Sequence, residues 1–284
     1  MHGLNPTIVM AAGKGSRMRA DAAVDADMLT EARSRPKAMI RIGRERRPLL
    51  EHLLMQLREE GCGAACVVIA PDDTVTREHF RQSPIVGLAL SFVEQAVPEG
   101  RKKPLGTAHA VELALKAHPE WEGVSVTVAN GDNLPPQGMF ERLFGHDAVL
   151  PAFHPTHLGL PAERIQAFAV IHANVDGQLA GITEKPDAAA MAAAKWQDGH
   201  VRVSMNYFRM HYAALLQAVC EVDEHPERGE KELPVAVSQW LNRYQGGMSA
   251  LPLSGAFLDM THPRDIAKAG QIVDQGGFAL ISRT

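Results

Sequence analysis

Three short runs without a charged residue, "TIVMA" (Thr7–Ala11), "AACVVIA" (Ala64–Ala70) and "VSVTVA" (Val124–Ala129), constrain this chain more than any other feature. A strand with one wet face alternates apolar and polar residues, whereas a strand covered on both faces reads as a near-continuous apolar run, the signature of a parallel sheet between helices. The stretches between the runs have helical periodicity: "PLLEHLLMQLREE" (48–60), with Pro48 at its start and Gly61 at its end, and "GTAHAVELALKAH" (106–118). "LALSFVEQ" (88–95) reads as a further strand. The order β-α-β predicts an α/β fold: a Rossmann-like, mainly parallel sheet flanked by helices.

After "DAVLPAF" the style changes. "QAFAVIHANVDGQLAGITEKP" reads as a hairpin, with Asn174, Asp176 and Gly177 at its turn, so this portion is expected to be mixed or antiparallel. "DAAAMAAAKWQ", "HYAALLQAVCEV" and "ELPVAVSQWLNRY" read as helices, "HVRVSMNYFRM" as a strand, and "THPRDIAKAGQIVDQGG" as a closing helix with Pro263 near its start. One domain over 1–284 is expected, divided into 1–135, 136–262 and a C-terminal helix and tail at 263–284. The acidic, Ala-rich segment 20–34 fits none of these elements and reads as a mobile insertion.

The 284 residues suffice for a substantial core, and 45% hydrophobic with 22% charged residues is an ordinary globular balance. No apolar run approaches the ~20 residues of a membrane helix, and the N-terminal run lacks a basic lead and a cleavage pattern, so a cytoplasmic protein without a membrane partner is expected. Three cysteines form no disulfide framework, and a formal charge of −4 argues against nucleic acid as a partner. None of the 13 histidines forms a metal-binding pattern, and His109 is expected to pack. Basic residues are nevertheless concentrated at 33–47 and in "GRKKP" (100–104), both beside other distinctive stretches.

The first strand runs into "AAGKGSRM" (Ala11–Met18), a basic glycine loop whose backbone can approach a ligand closely. Phosphate is the usual guest of such a loop. Neither better-known phosphate loop fits: Ile8 stands where the nucleotide-hydrolase loop needs its first glycine, and Met18 where the dinucleotide fingerprint needs its third.

Six stretches in series, "AAGKGSRM", "RPKAMIRI", "PLGTAHAV", "ANGDN", "ITEKP" and "LDMTHPRDI", resemble the sugar-1-phosphate nucleotidylyltransferases over about Thr7 to Ala269. The first half is similar to the uridylyltransferase domain acting on N-acetylglucosamine 1-phosphate. "EKP" and the late aspartate resemble glucose-1-phosphate thymidylyltransferases. The resemblance implies a nucleotide-diphospho-sugar transferase fold and an Mg2+-dependent reaction between a nucleoside triphosphate, UTP or dTTP favoured, and a sugar 1-phosphate. Its product would be a nucleotide sugar, as in bacterial cell-surface polysaccharide synthesis, and a homo-oligomer is compatible with it.

On that resemblance, Ala12, Gly13, Gly15 and Ser16 cradle the triphosphate, and Arg17 lies beside the leaving pyrophosphate, where a planar guanidinium bridges two oxygens. Lys37 neutralises charge between the α-phosphate and the sugar phosphate; its distance of 20 positions from Arg17 exceeds the family's usual spacing, which is why 20–34 reads as inserted. Gln95, Gly106 and Thr107 meet the nucleoside, Thr107 also fitting a helix N-cap. Glu184 holds sugar hydroxyls, Lys185 the sugar phosphate, and Asn206 stands where relatives carry a glycine. Asp132 and Asp259 are the expected Mg2+ ligands, because Mg2+ suits few protein carboxylates plus phosphate oxygens and water. Thr261 replaces a glycine of the family's pattern, and Asp265 reads as a first-turn helix residue. Transfer to a non-sugar phosphate, or a catalytically silent sensing or assembly subunit, are the competing readings.

Overall fold

The computed structural model describes residues 4–13, 35–101, 103–244, 247–260, 262–263 and 265–281. The first strand, β1 (Thr7–Met10), is followed among the described residues by a 3-10 turn at Lys37–Met39 and a small ribbon of β2 (Arg41–Ile42) and β3 (Arg47–Pro48). The predicted units then appear in order, α1 (Leu49–Glu59), β4 (Ala64–Ile69), β5 (Ala89–Glu94), α3 (Thr107–Ala117) and β6 (Ser125–Asn130), with a further helix, α2 (Thr74–Gln82), between β4 and β5. The chain continues through β7 (Asn133–Leu134), α4 (Met139–Phe144), β8 (Val149–Phe153), α5 (Ala162–Ile165) and the hairpin β9 (Val170–Ala173) and β10 (Leu179–Thr183). It ends with α6 (Ala188–Ala193), β11 (Phe208–His211), α7 (Tyr212–Glu221), α8 (Leu233–Arg243), β12 (Ser249–Leu253), β13 (Leu258–Asp259) and α9 (Asp265–Asp274).

Seven of these strands make one sheet in the order β12-β8-β11-β6-β1-β4-β5. β1, β4, β5 and β6 are mutually parallel, β12 is parallel to β8, and β11 runs antiparallel to both its neighbours. The mixed character expected of the second half therefore enters the central sheet as a single reversed strand, while β9 and β10 form the antiparallel hairpin. Its turn is built as the sequence implies, with Asn174 Oδ1 accepting from the Asp176 and Gln178 amides at 3.0 and 2.8 Å.

Successive strand residues point to opposite faces. Ile8, Cys66, Val126 and Val128 join the core under α3, α7 and α8, whereas Val9, Ala65, Val67 and Ala129 join the one under α1, α2 and α4. Leu50, Leu53, Leu54 and Leu57 of α1 and Ala110, Val111 and Ala114 of α3 supply the facing surfaces. A third, smaller core ties Ile40, Ile42 and Leu49 to Met260 and Ile266. No helix among the described residues is long and apolar enough to cross a membrane.

Two elements depart from expectation. The strand read over "HVRVSMNYFRM" is regular only from Phe208, because Asn206 takes φ +59° and breaks the extended run after an isolated bridge from Val203 to Phe153 and Val170. α2 arises from "TVTREHFRQ", whose β-branched start is a poor helix signal; Asp73 initiates it by accepting from the Thr76 amide at 2.9 Å and its hydroxyl at 2.6 Å.

Candidate active site

The chain runs outward from β1 through β4 to β5, then returns to lay β6 on the other side of β1. At such a reversal the loops leaving neighbouring strands diverge and open a crevice at the strands' C-terminal ends. A cleft of about 520 Å³ lies there.

Ala12 and Gly13, which follow β1, line it together with Lys37, Gln95, Gly106, Thr107 and Asp132. Among the described residues nothing lies within 4 Å of where a Gly13 Cβ would stand. Gly15, Ser16, Arg17, Thr261 and the segment 20–34 lie outside the described residues.

Lys37 opens the 3-10 turn after Pro36, and buried Ala38 and Met39 pin that turn to the core. Its ammonium donates to Asp132 Oδ2 at 2.7 Å, with the two side chains 14% and 40% exposed. Asp132 reaches the cleft because β6 turns tightly against β1: the Gly131 amide donates to Met10 O at 2.9 Å, and a Cβ on Gly131 would stand only 3.0 Å from that oxygen.

Asp259 arrives from the far end of the sequence. In the two-residue ladder of β7 and β13, Asp259 pairs with Asn133, the neighbour of Asp132. The buried Tyr207 hydroxyl donates to Asn133 Oδ1. Burial first, then the negative charges of Asp132 and Asp259, raise the Tyr207 phenol well above its ordinary value, so both carboxylates act on this one hydroxyl. Asp132 lines the cleft, whereas Asp259 lines a separate crevice between α5 and α9; two carboxylates on adjoining backbone are nevertheless the donor chemistry that suits Mg2+. No group of three or more histidines, cysteines and carboxylates is arranged as a metal cage among the described residues.

At the other end of the cleft, Gln95 donates from Nε2 to Gly106 O at 2.7 Å, leaving its carbonyl oxygen and second amide proton for other partners. Gly106 takes φ +101°, and a Cβ there would sit 2.5 Å from Lys231 O. Its missing side chain thus admits the Lys231 backbone, which donates to Leu105 O and accepts from Ala108 N. Thr107 is not the N-cap of α3; Gly106 is, and the Thr107 hydroxyl instead accepts at 2.9 Å from the amide of Leu233, the first residue of α8.

Glu184, Lys185 and Asn206 do not line this cleft. Glu184 stands just beyond β10, where the crowding of surrounding protein, then the like charge of Glu232, raises its carboxyl although it remains solvent-accessible. Glu232 is two residues from Glu230, which does line the cleft. Asn206 follows Met205, whose carbonyl accepts from the cleft residue Asn130 at 3.3 Å. Lys185 and Asn206 both take positive φ, +46° and +59°. Asparagine tolerates that region better than most residues.

A model of the nucleotidyl transferase family matches residues 6–269. The chain belongs to this family. Among solved structures, this nucleotidyl transferase resembles a putative glucose-1-phosphate thymidylyltransferase from Bacillus anthracis in complex with a sucrose, at 16% identity and TM-score 0.66, covering 98% of this chain and 96% of that one. HddC from Yersinia pseudotuberculosis matches at 16% identity and TM-score 0.60, over 94% and 98% of the two chains. A UDP-glucose pyrophosphorylase complexed with UDP-glucose matches at 15% identity and TM-score 0.66, over 96% and 100%. Likeness at these identities carries the fold.

Sequence reading of this nucleotidyl transferase missed three features of its site. Glu230 enters the cleft on a strap that Arg101 ties down by donating to Gly229 O at 2.6 Å, so part of the basic "GRKKP" run is a structural anchor. Tyr207 lies buried beneath the carboxylate pair. Arg164 grips Asp259 from α5. None has a local signal, since each acts on a residue distant in sequence.

Proposed function

We propose that this nucleotidyl transferase joins the nucleotidyl group of a nucleoside triphosphate to a sugar 1-phosphate, releasing pyrophosphate. The observation that carries this reading is the Lys37–Asp132 pair at the mouth of β6, with Asp259 on the adjoining ladder. A phosphate oxygen of the sugar attacks the α-phosphorus in line, the new O–P bond forms, and the bond to the β-phosphate oxygen breaks with its electron pair leaving on pyrophosphate. Such a step needs charge neutralisation and alignment more than covalent help.

Mg2+, held by Asp132 and Asp259, would neutralise phosphate oxygens when bound. Lys37 exchanges Asp132 for the approaching phosphates, a compact ammonium between two anions. The Gly13 backbone cradles the triphosphate, with Arg17 beside the leaving pyrophosphate and Gln95 on the base, UTP or dTTP being the first candidates. Glu184 takes the sugar hydroxyls, Lys185 the sugar phosphate, and Asn206 a further sugar contact. The names of the neighbours, a glucose-1-phosphate thymidylyltransferase and a UDP-glucose pyrophosphorylase, support a sugar substrate. A reaction that consumes a nucleoside triphosphate belongs in the cytoplasm.

The test is pyrophosphate release with Mg2+ over a matrix of nucleoside triphosphates and sugar 1-phosphates. Release that requires both substrates is the expected result. Silence across the matrix with triphosphate binding retained would move the assignment to a non-sugar acceptor or a sensing subunit.

A further inference from the structure

A second crevice, of about 790 Å³, opens between α5 and α9, and Arg164, Asp259 and Asp265 all line it. From α5, Arg164 reaches both Asp259, at the end of β13, and Asp265, at the start of α9. One guanidinium nitrogen donates to Asp259 O at 3.1 Å and stands 3.6 Å from its carboxylate; the other donates to Asp265 Oδ2 at 2.7 Å. That same Asp265 oxygen accepts from the His262 amide at 2.8 Å. Arg164 and Asp259 are only 19% and 17% exposed. β13 has just two residues, so its ladder does little to hold the turn after it, and the fork of Arg164 joins the strand's last carbonyl to the helix's first side chain.

We infer that Arg164 is a positioning residue: by holding the Asp259 carbonyl and the Asp265 carboxylate together it fixes the backbone from which Asp259 presents its carboxylate to the metal. The inference rests on the reading of these two aspartates as the metal site. A planar fork meets two acceptors in fixed relative geometry, whereas a lysine ammonium, a point charge on a flexible stem, does not. Arg164 also carries a positive charge beside a site meant for a cation. Deleting it would by electrostatics alone tighten metal binding, so a weakening can come only from lost geometry.

The test uses Mn2+ with inorganic pyrophosphate as the probe, titrated into the full chain and followed by water-proton relaxation. Asp132→Asn and Asp259→Asn define the site. Arg164→Met and Arg164→Lys are each expected to weaken Mn2+ by about tenfold or more, the range seen when groups orienting a metal ligand are removed, with metal-free pyrophosphate binding unchanged. Amide exchange at His262 should speed up in both. If the two aspartate variants lose Mn2+ while both Arg164 variants bind it as tightly as the parent or more tightly, Arg164 is only a tie between α5 and the turn and the inference falls. If the aspartate variants bind as the parent does, the metal reading itself fails. Should Arg164→Met not fold, Arg164→Lys, which retains the stem and charge, still decides.

Discussion

In the proposed reaction the Lys37–Asp132 pair is the contact on which the chemistry turns. Asp132→Asn keeps nearly the same shape and removes one negative charge, so it should leave the circular dichroism unchanged and lower turnover by about a hundredfold or more, the scale of removing one preorganised electrostatic group. Parental turnover in the folded variant would take Asp132 out of the metal site. Gly106 is a structural requirement of the same cleft. An alanine there would adopt φ +101° and place its Cβ 2.5 Å from Lys231 O. Gly106→Ala should therefore cost about 2 kcal/mol or more in urea unfolding and shift the strap carrying Glu230. The glycine was legible as a special position, but its reason was not, because the Lys231 backbone that fills the space lies far along the chain.

Among elements, those with a long apolar face were readable and those defined by a cap or a distant partner were not. α1 declares itself through its leucines, whereas α2 depends on Asp73, and Asp73→Ala should cost about 1 kcal/mol of stability, the usual worth of such a cap, measured by denaturant midpoint. β7 and β13 have two residues each and exist only because they pair with one another. α1 also carries a pH response. Burial holds the His52 imidazole below its ordinary value, against the opposing pull of Glu51, and its Nε2 is buried without a hydrogen-bond partner. The unfolded chain takes up a proton near pH 6.5 that the folded chain resists, so stability is fully present above about that pH and is lost as pH falls toward the lower folded value. His52→Leu should flatten the acid-side fall of the urea midpoint between about pH 7 and 5; an unchanged slope would assign the fall to other groups.

At the scale of the whole molecule, the sheet's two faces bury separate cores, and the strands between them belong to both. Leu53 is fully buried in the layer beneath α1. Leu53→Ala should lower stability by about 2–5 kcal/mol with little change in a substrate's KM, since the residue lies away from the cleft; calorimetry alongside steady-state kinetics checks both halves. The amino-acid sequence by itself determined the α/β class, the order of β1, α1, β4, β5, α3 and β6, and the loop positions of Gly13 and Asp132, while the family resemblance singled out Lys37 and Gln95. Those come from local rules: strand and helix periodicity, and functional loops at strand ends. Only the tertiary structure decided that β11 runs backward within the main sheet and that Asp259 pairs with Asn133 in a two-residue ladder. It alone, too, brought Arg164, Tyr207 and Glu230 to the site. These depend on pairing and burial between segments far apart in the chain, and no local pattern records such contacts.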